Sequence, residues 1–401
     1  MALALQGIKV LDLCHLGPGM FCTMILADFG AEVLRIDRPD RPKSPQRAEQ
    51  SVWSFERAME VGHRAFNRNK KSMALNFKSE EARQIFYKLA ESADVIVEGF
   101  RPGVTKRLGI DYETMKEINP RIVYCSLSGY GQSGPYAEFP GHDVNYIGVG
   151  GALDMIGERD KPPIIPLNLL ADFAGASLQG AISILIALMA RHQTGQGQYI
   201  DFSYTDAVVY LVSMFAFGHL NYGADFTRGT TPFGGAFPGY GVYQTKEGKY
   251  ISIGCFEPYF WENLCRFVGR EDFLPYQFAE GEKREEVFAY IRQFFLTKSR
   301  DEWFDLMKDK NIPVGKVYSL DEVFSDPQLQ HRQMLQEIEL PDGRKERTVG
   351  VGMKLLGTPG QIRCPAPVPG QHTKETLLGL GYTEEMVKEL DRQGSIALAD
   401  A

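Results

Sequence analysis

Three short polar islands interrupt otherwise apolar stretches of this chain. They are Gly141-His142-Asp143-Val144-Asn145-Tyr146, Asn168-Leu169-Leu170-Ala171-Asp172-Phe173 and Cys255-Phe256-Glu257-Pro258. Each sets an ionisable side chain at the edge of a segment that reads as core. A histidine and two carboxylates are the residue types that move a proton on and off carbon near neutral pH. Each also has a plainer explanation. Asp172 precedes the longest apolar run and could be a helix N-cap. His142 lies in a glycine-flanked loop, where a surface histidine is ordinary. Glu257 stands before Pro258 and could simply cap the helix predicted from Tyr259.

A cationic set recurs where strands are predicted to end. Arg38 closes Arg35-Ile36-Asp37-Arg38, and Arg68, Lys70 and Lys71 lie close together in Asn67-Arg68-Asn69-Lys70-Lys71-Ser72. Lys78 follows Leu75-Asn76-Phe77, and Arg101 and Arg107 follow the run at 95–97. Cations gathered on one sheet edge would suit a phosphorylated ligand. The alternative is an ordinary solvated surface.

These residues need elements to position them. Over 401 residues, 44% hydrophobic and 24% charged, the composition is that of a globular chain with two domains. A net charge of −7 gives no general attraction to nucleic acid or to an anionic membrane. The six cysteines form no C-x-x-C pair and read as reduced thiols of a cytoplasmic protein. The N-terminus shows no signal-peptide pattern. Residues 171–190 approach membrane length, but Asp172, Ser177, Gln179 and Ser183 favour a buried core helix.

The periodicity predicts strand 8–13, a turn at Gly17-Pro18-Gly19, helix 20–29 and strand 32–36. Helix 79–93, strand 95–97, helix 112–118 and strand 122–126 follow. This alternation argues for an α/β fold with a parallel sheet covered by helices. The first turn lacks G-x-G-x-x-G, so a dinucleotide site is not supported. Beyond Gly195, a strand at 198–203, a helix at 206–217, a long ordered loop at 218–241 and a strand at 250–254 are expected. Helices at 259–268, 284–295 and 300–308 suggest a smaller mixed domain, with one late helix at 383–392.

Motifs spread over the whole chain resemble the family III CoA-transferase (CaiB/BaiF) superfamily. They are Leu5-Gln6-Gly7-Ile8-Lys9-Val10-Leu11-Asp12-Leu13 and Leu26-Ala27-Asp28-Phe29-Gly30-Ala31-Glu32-Val33, with segments 67–78, 95–103, 119–134 and 191–201 in the same register. Gly141 to Tyr146 is similar to the G-H-D-I-N-Y motif of the α-methylacyl-CoA racemase branch. Pro166-Leu167-Asn168-Leu169-Leu170-Ala171-Asp172-Phe173 and Gly254-Cys255-Phe256-Glu257-Pro258 resemble two further motifs of that branch. The separations agree as well: 30 residues from His142 to Asp172 and 85 from Asp172 to Glu257.

The resemblance implies the following. The fold is a large Rossmann-like parallel-sheet domain plus a smaller α+β domain, in an interlocked homodimer. Residues 1–200 form the large CoA-binding domain, 201–225 a linker helix, 226–325 the small domain, and 326–401 a segment returning to the large domain. His142 and Asp172 are the acid/bases, and Glu257 hydrogen-bonds the histidine across the subunit interface. Gly17, Pro18, Arg38, Leu75, Asn76, Lys78, Arg101, Arg107 and Tyr146 form the CoA site. CoA enters as part of the acyl-CoA substrate, so no other cofactor and no metal is needed. Neither nucleic acid nor membrane insertion is implied. The reaction is epimerisation of a 2-methylacyl-CoA or related thioester through an enolate, whose oxygen would be met by N–H groups at the start of the Asp172 helix. The alternative is CoA transfer between carboxylic acids through an acyl anhydride on Asp172. A third possibility is a CoA-binding subunit without catalysis.

Three departures from the racemase pattern bear on that choice. Residues 42–66, with Trp53, Phe55 and His63, are longer than racemases have. Asn67-Arg68-Asn69-Lys70 is written as transferases write it. The stretch Phe233-Gly234-Gly235-Ala236-Phe237-Pro238-Gly239-Tyr240 lacks the Asp of the racemase motif. They point towards a bulky or aromatic acyl group.

Overall fold

A computed structural model describes residues 2–39 and 54–399. Trp53 and the stretch 42–52 lie outside the described residues. The chain packs as two compact units. The first comprises residues 1–150, 167–211 and 333–401, and the second 151–166 and 212–332.

The first unit is built on a seven-stranded sheet. Its strands are β1 (Lys9–Asp12), β2 (Glu32–Asp37), β3 (Lys70–Leu75), β4 (Val95–Glu98), β5 (Val123–Ser128) and β6 (Gln198–Ser203), with a short C-terminal strand, Ile396–Ala397. The spatial order is β3-β2-β1-β4-β5-β6, all parallel, and the C-terminal strand adds antiparallel beside β3. The order reverses between β1 and β4. In open parallel sheets ligands bind at that reversal, outside the carboxyl ends of the strands.

Both sheet faces are covered, which explains the near-continuous apolar runs of the strands. Val10, Val33, Val95, Val97, Val123 and Cys125 face one way, against Cys22, Ile25 and Leu26 of the helix Gly17–Asp28 and Ala181, Ile184 and Ala187 of the helix Gly180–Thr194. Leu11, Ile36, Met73, Ile96 and Tyr124 face the other way, against Ile85 and Phe86 of the helix Glu80–Glu91 and Val387 and Leu390 of the helix Glu384–Arg392. This is the period-two alternation of a pleated strand packed on both sides.

The structure departs from the periodicity in several places. The first helix begins at Gly17, so the expected turn is its first turn. Strand β3 and the helices Phe55–Phe66 and Asp143–Val149 are additional elements. The apolar run is one continuous helix, π-helical over Leu169–Gln179 and α-helical over Gly180–Thr194. It is not buried all round. Ala176, Ala181, Ile184 and Ala187 pack on the sheet, while Leu178, Ile182, Ile186 and Met189 face outwards. By length and composition it could cross a membrane. The helix expected at 206–217 is two helices, Tyr204–Leu211 and Ser213–Tyr222.

The second unit holds an antiparallel sheet of Tyr240–Gln244, Tyr250–Gly254 and Val314–Val317. Ile251, Ile253, Trp261, Phe273, Phe295 and Trp303 make its core. The helix Pro258–Phe267 follows Tyr250–Gly254, the central strand of that sheet.

Candidate active site

The segments that leave the carboxyl ends of β1 to β5 carry most of the residues singled out above. Gly17 and Pro18 follow β1, Arg38 follows β2, Asn76 and Lys78 follow β3, and Arg101 follows β4. His142 and Tyr146 come after β5, and Asp172 lies in the helix that begins at Leu169.

Asp172 is half-buried in the first turn of that helix, not at its N-cap, which is Asn168. The Asn168 side chain donates to Asp172 Oδ2 at 3.1 Å. The cap comes from elsewhere. Asp143 Oδ2 accepts the N–H groups of Ala171 at 2.8 Å and Asp172 at 2.9 Å. Two of the N–H groups at the start of this helix, those of Ala171 and Asp172, are therefore committed to Asp143.

Burial pushes the Asp172 carboxyl up to about 6. The Asn168 bond and the charge of His142 pull it down, and the charge of Asp143 pushes it up. His142 is exposed and begins the helix Asp143–Val149. Its carbonyl accepts from Asn145 and Tyr146, and its N–H donates to Asn145 Oδ1 at 3.0 Å. The exposed imidazole is close enough for its charge to act on Asp172.

Tyr146 is buried against Tyr130 and Tyr204, with ring centroids at 5.1 and 5.4 Å. A Cβ on Gly129 or Gly141 would come within 2.3 or 2.6 Å of its Cε1. Both glycines are required by this close approach. Burial first, then the charges of Tyr130 and Asp172, push the phenol up to about 12, while Arg101 opposes them. Tyr146, Arg101, Asp172 and His142 thus form one electrostatic neighbourhood. Gly17 lies against Phe173 and Phe66, and Phe21, Phe66 and Phe173 pack ring to ring at 5.3–5.6 Å. Ser177 Oγ donates to the Pro18 carbonyl at 2.7 Å and lies 3.0 Å from that of Asp172.

The cations divide into two groups. Arg38, Lys78, Arg101 and Arg107 are exposed. Arg68 and Lys70 are not ligand cations. Arg68 is held by Asp28, and Lys70 is fully buried on Asp12, Thr23, Asn67 and the Met20 carbonyl. Lys71 pairs with Glu375. Leu75 is 1% exposed and sits in the core, and Asn76 is tied to the Gly394 carbonyl and the Lys78 N–H.

Glu257 belongs to the second unit. It is exposed at the N-cap of Pro258–Phe267 and makes no side-chain cap bond there. Its carbonyl accepts from Phe260 and Trp261.

Two residues escaped the sequence reading. Asp143 stood inside a quoted motif without a role. His15, in the segment after β1, is held by burial and by Arg35 down to about 4. Its Nδ1 lies 3.3 Å from Arg35 Nη2, which can only donate, so the proton of the neutral ring sits on Nε2. The available signal for His15 was a histidine immediately beyond an apolar strand and before a Gly-Pro-Gly turn.

The family model described as CoA-transferase family III matches residues 5–373. Alpha-methylacyl-CoA racemase of Homo sapiens is 33% identical over 393 residues, covering 97% of this chain and 96% of that protein. Formyl-CoA:oxalate CoA-transferase of Escherichia coli O157:H7 is 30% identical over 422 residues, covering 99% and 100%. The crystal structure of a CaiB/BaiF family protein from Brucella suis matches with a TM-score of 0.79 at 26% identity, over 95% of this chain and 100% of that one.

Proposed function

This chain belongs to CoA-transferase family III, and on that premise we propose that it inverts the α-carbon of an α-branched acyl-CoA, such as a 2-methylacyl-CoA. The observation that carries this reading is the pairing of a carboxyl raised to about 6, Asp172, with a histidine whose charge reaches it. A carboxyl poised near neutrality is suited to both taking and giving a proton. The thioester acidifies the α-carbon. One of the two groups takes the α-proton as the C–H bond breaks, and the electron pair passes to the thioester oxygen. The other returns a proton to the opposite face, and exchange with water resets both. Arg38, Lys78, Arg101 and Arg107 would meet the phosphates of CoA, with Gly17, Pro18, Leu75, Asn76 and Tyr146 shaping the channel. No cofactor besides the CoA of the substrate enters this scheme. Glu257 would reach His142 from the partner subunit of a homodimer, and the enzyme would work in the cytoplasm.

The second reading is CoA transfer, with Asp172 attacking the thioester carbonyl to form a mixed anhydride and release CoA thiolate. It is supported by the near-equal identity to a transferase. Incubation with 2-methylacyl-CoA in D₂O, beside a parallel tube containing a free acid, separates the two. Deuterium at the α-carbon without acyl-CoA formed on the acceptor supports inversion. CoA on the acceptor without α-exchange overturns it in favour of transfer. Replacing His142 with Ala should reduce α-exchange by about 10²-fold or more while sparing transfer.

A further inference from the structure

The hydrogen bonds that begin the Asp172 helix leave one atom over. Asp143 is 3% exposed, and its Oδ2 accepts the N–H groups of Ala171 and Asp172. Its Oδ1 is buried and has no hydrogen-bond partner among the described residues. Buried carboxylate oxygens without partners are costly, so natural chains rarely keep one without a use.

Capping alone does not explain this residue. The helix already has Asn168 at its N-cap, but the Asn168 side chain is turned to Asp172 Oδ2 instead. The two N–H groups are satisfied by one oxygen, which an amide would supply equally well. What only an aspartate adds is negative charge, and that charge faces Asp172. The other groups around Asp172 are Asn168 on its own helix, His142 in the preceding loop, Tyr146 on the helix Asp143–Val149 and Tyr204 on the helix Tyr204–Leu211. Arg101, after β4, acts on Tyr146. None of these supplies a fixed anion.

We propose that Asp143 is a positioning residue for Asp172: it locks the first turn of that helix through two N–H bonds and sets an uncompensated carboxylate oxygen beside the reacting carboxyl. This inference rests on Asp172 being the reacting group. Burial remains the larger cause of the raised Asp172 carboxyl, with Asp143 adding to it.

The test uses the full chain labelled with ¹³C at its aspartate carboxyls, with D172N identifying the Asp172 signal. In the unsubstituted protein that signal should titrate near pH 6. In D143N, where the amide oxygen can still accept both N–H groups, it should titrate lower by about half a pH unit or more. The melting temperature of D143N should stay close to that of the parent, whereas D143A should melt lower. The acidic limb of the α-exchange rate should move with the titration. An Asp172 signal that titrates at the same pH in D143N, in a folded protein, overturns the proposal. A titration that moves while the rate profile stays in place keeps the electrostatic link from Asp143 to Asp172 but removes Asp172 as the reacting group, and overturns the positioning role with it.

Discussion

The raised carboxyl of Asp172 has a consequence for stability as well as for chemistry. Its folded pKa, about 6, lies above its ordinary value of 3.8. The protonated form is therefore the one the fold favours. That contribution is fully present below about pH 4 and is lost as pH rises through 6. A shift of this size corresponds to about 3 kcal/mol at most, and roughly 1–2 kcal/mol once partial exposure is allowed for. Asp172→Asn should then abolish activity yet melt a few degrees above the parent at pH 8, with the gap closing towards pH 4. Thermal scans across that range check this, and a variant less stable than the parent at pH 8 would sink it. His15 shows the opposite case. Its pKa, depressed to about 4, keeps a neutral ring in the fold. ¹⁵N spectra should show Nε2 protonated and Nδ1 bare from pH 8 down to about 5. A doubly protonated ring at pH 6 would refute the assignment.

At the scale of elements, the carboxyl edge of the sheet is held by charges inside the protein. Lys70 at the start of β3 and Asp12 at the end of β1 are both fully buried and 3.0 Å apart. Arg35 of β2 is pinned by Asp37, Asn67 and the Cys14 carbonyl. Removing one partner strands the other, which typically costs about 3–5 kcal/mol. Lys70→Met should lower the melting temperature by roughly 6–15 °C. Replacing Asp12 and Lys70 together with apolar residues should cost less than Lys70→Met alone. If the double variant is the worse of the two, the pair is not acting through stranded charge. The same network shows where the sequence was legible. Apolar runs with helical spacing between them give the α/β class directly, because burial on both faces leaves that pattern. Strand β3 was not legible, because it opens on two lysines, and Lys70 is buried against partners that include an aspartate 58 positions away. For the same reason Arg68 and Lys70 read as ligand cations. The pairing of His142 with Asp172 comes from resemblance, whereas the link between Asp143 and the Asp172 helix crosses 28 positions and leaves no local pattern. The π-helical hydrogen bonding of 169–179 is equally silent, since an apolar run does not specify which carbonyl each N–H chooses.

At the scale of the whole molecule, the outer apolar surfaces need an explanation. On the helix Gly180–Thr194, Ile182, Ile186 and Met189 are each more than half exposed and form one stripe at helical spacing. In the second unit, Met214, Phe217 and Leu220 of the helix Ser213–Tyr222 are likewise exposed. Apolar stripes of this kind on a folded chain are candidate contact surfaces. Within a homodimer, the partner chain would cover them, and burying a side chain such as Ile186 would contribute about 1.5–3 kcal/mol. Light scattering behind gel filtration should therefore give twice the chain mass for the parent protein. Ile186→Glu combined with Met189→Glu should shift it towards a single chain or prevent its accumulation in soluble form. Because Glu257 would act from the partner, a soluble monomer should retain the Asp172 fold yet lose α-exchange. A parent protein that runs as a single chain and is fully active would remove both the dimer and the cross-subunit role of Glu257. The catalytic unit would then have to be built from His142 and Asp172 on one chain alone.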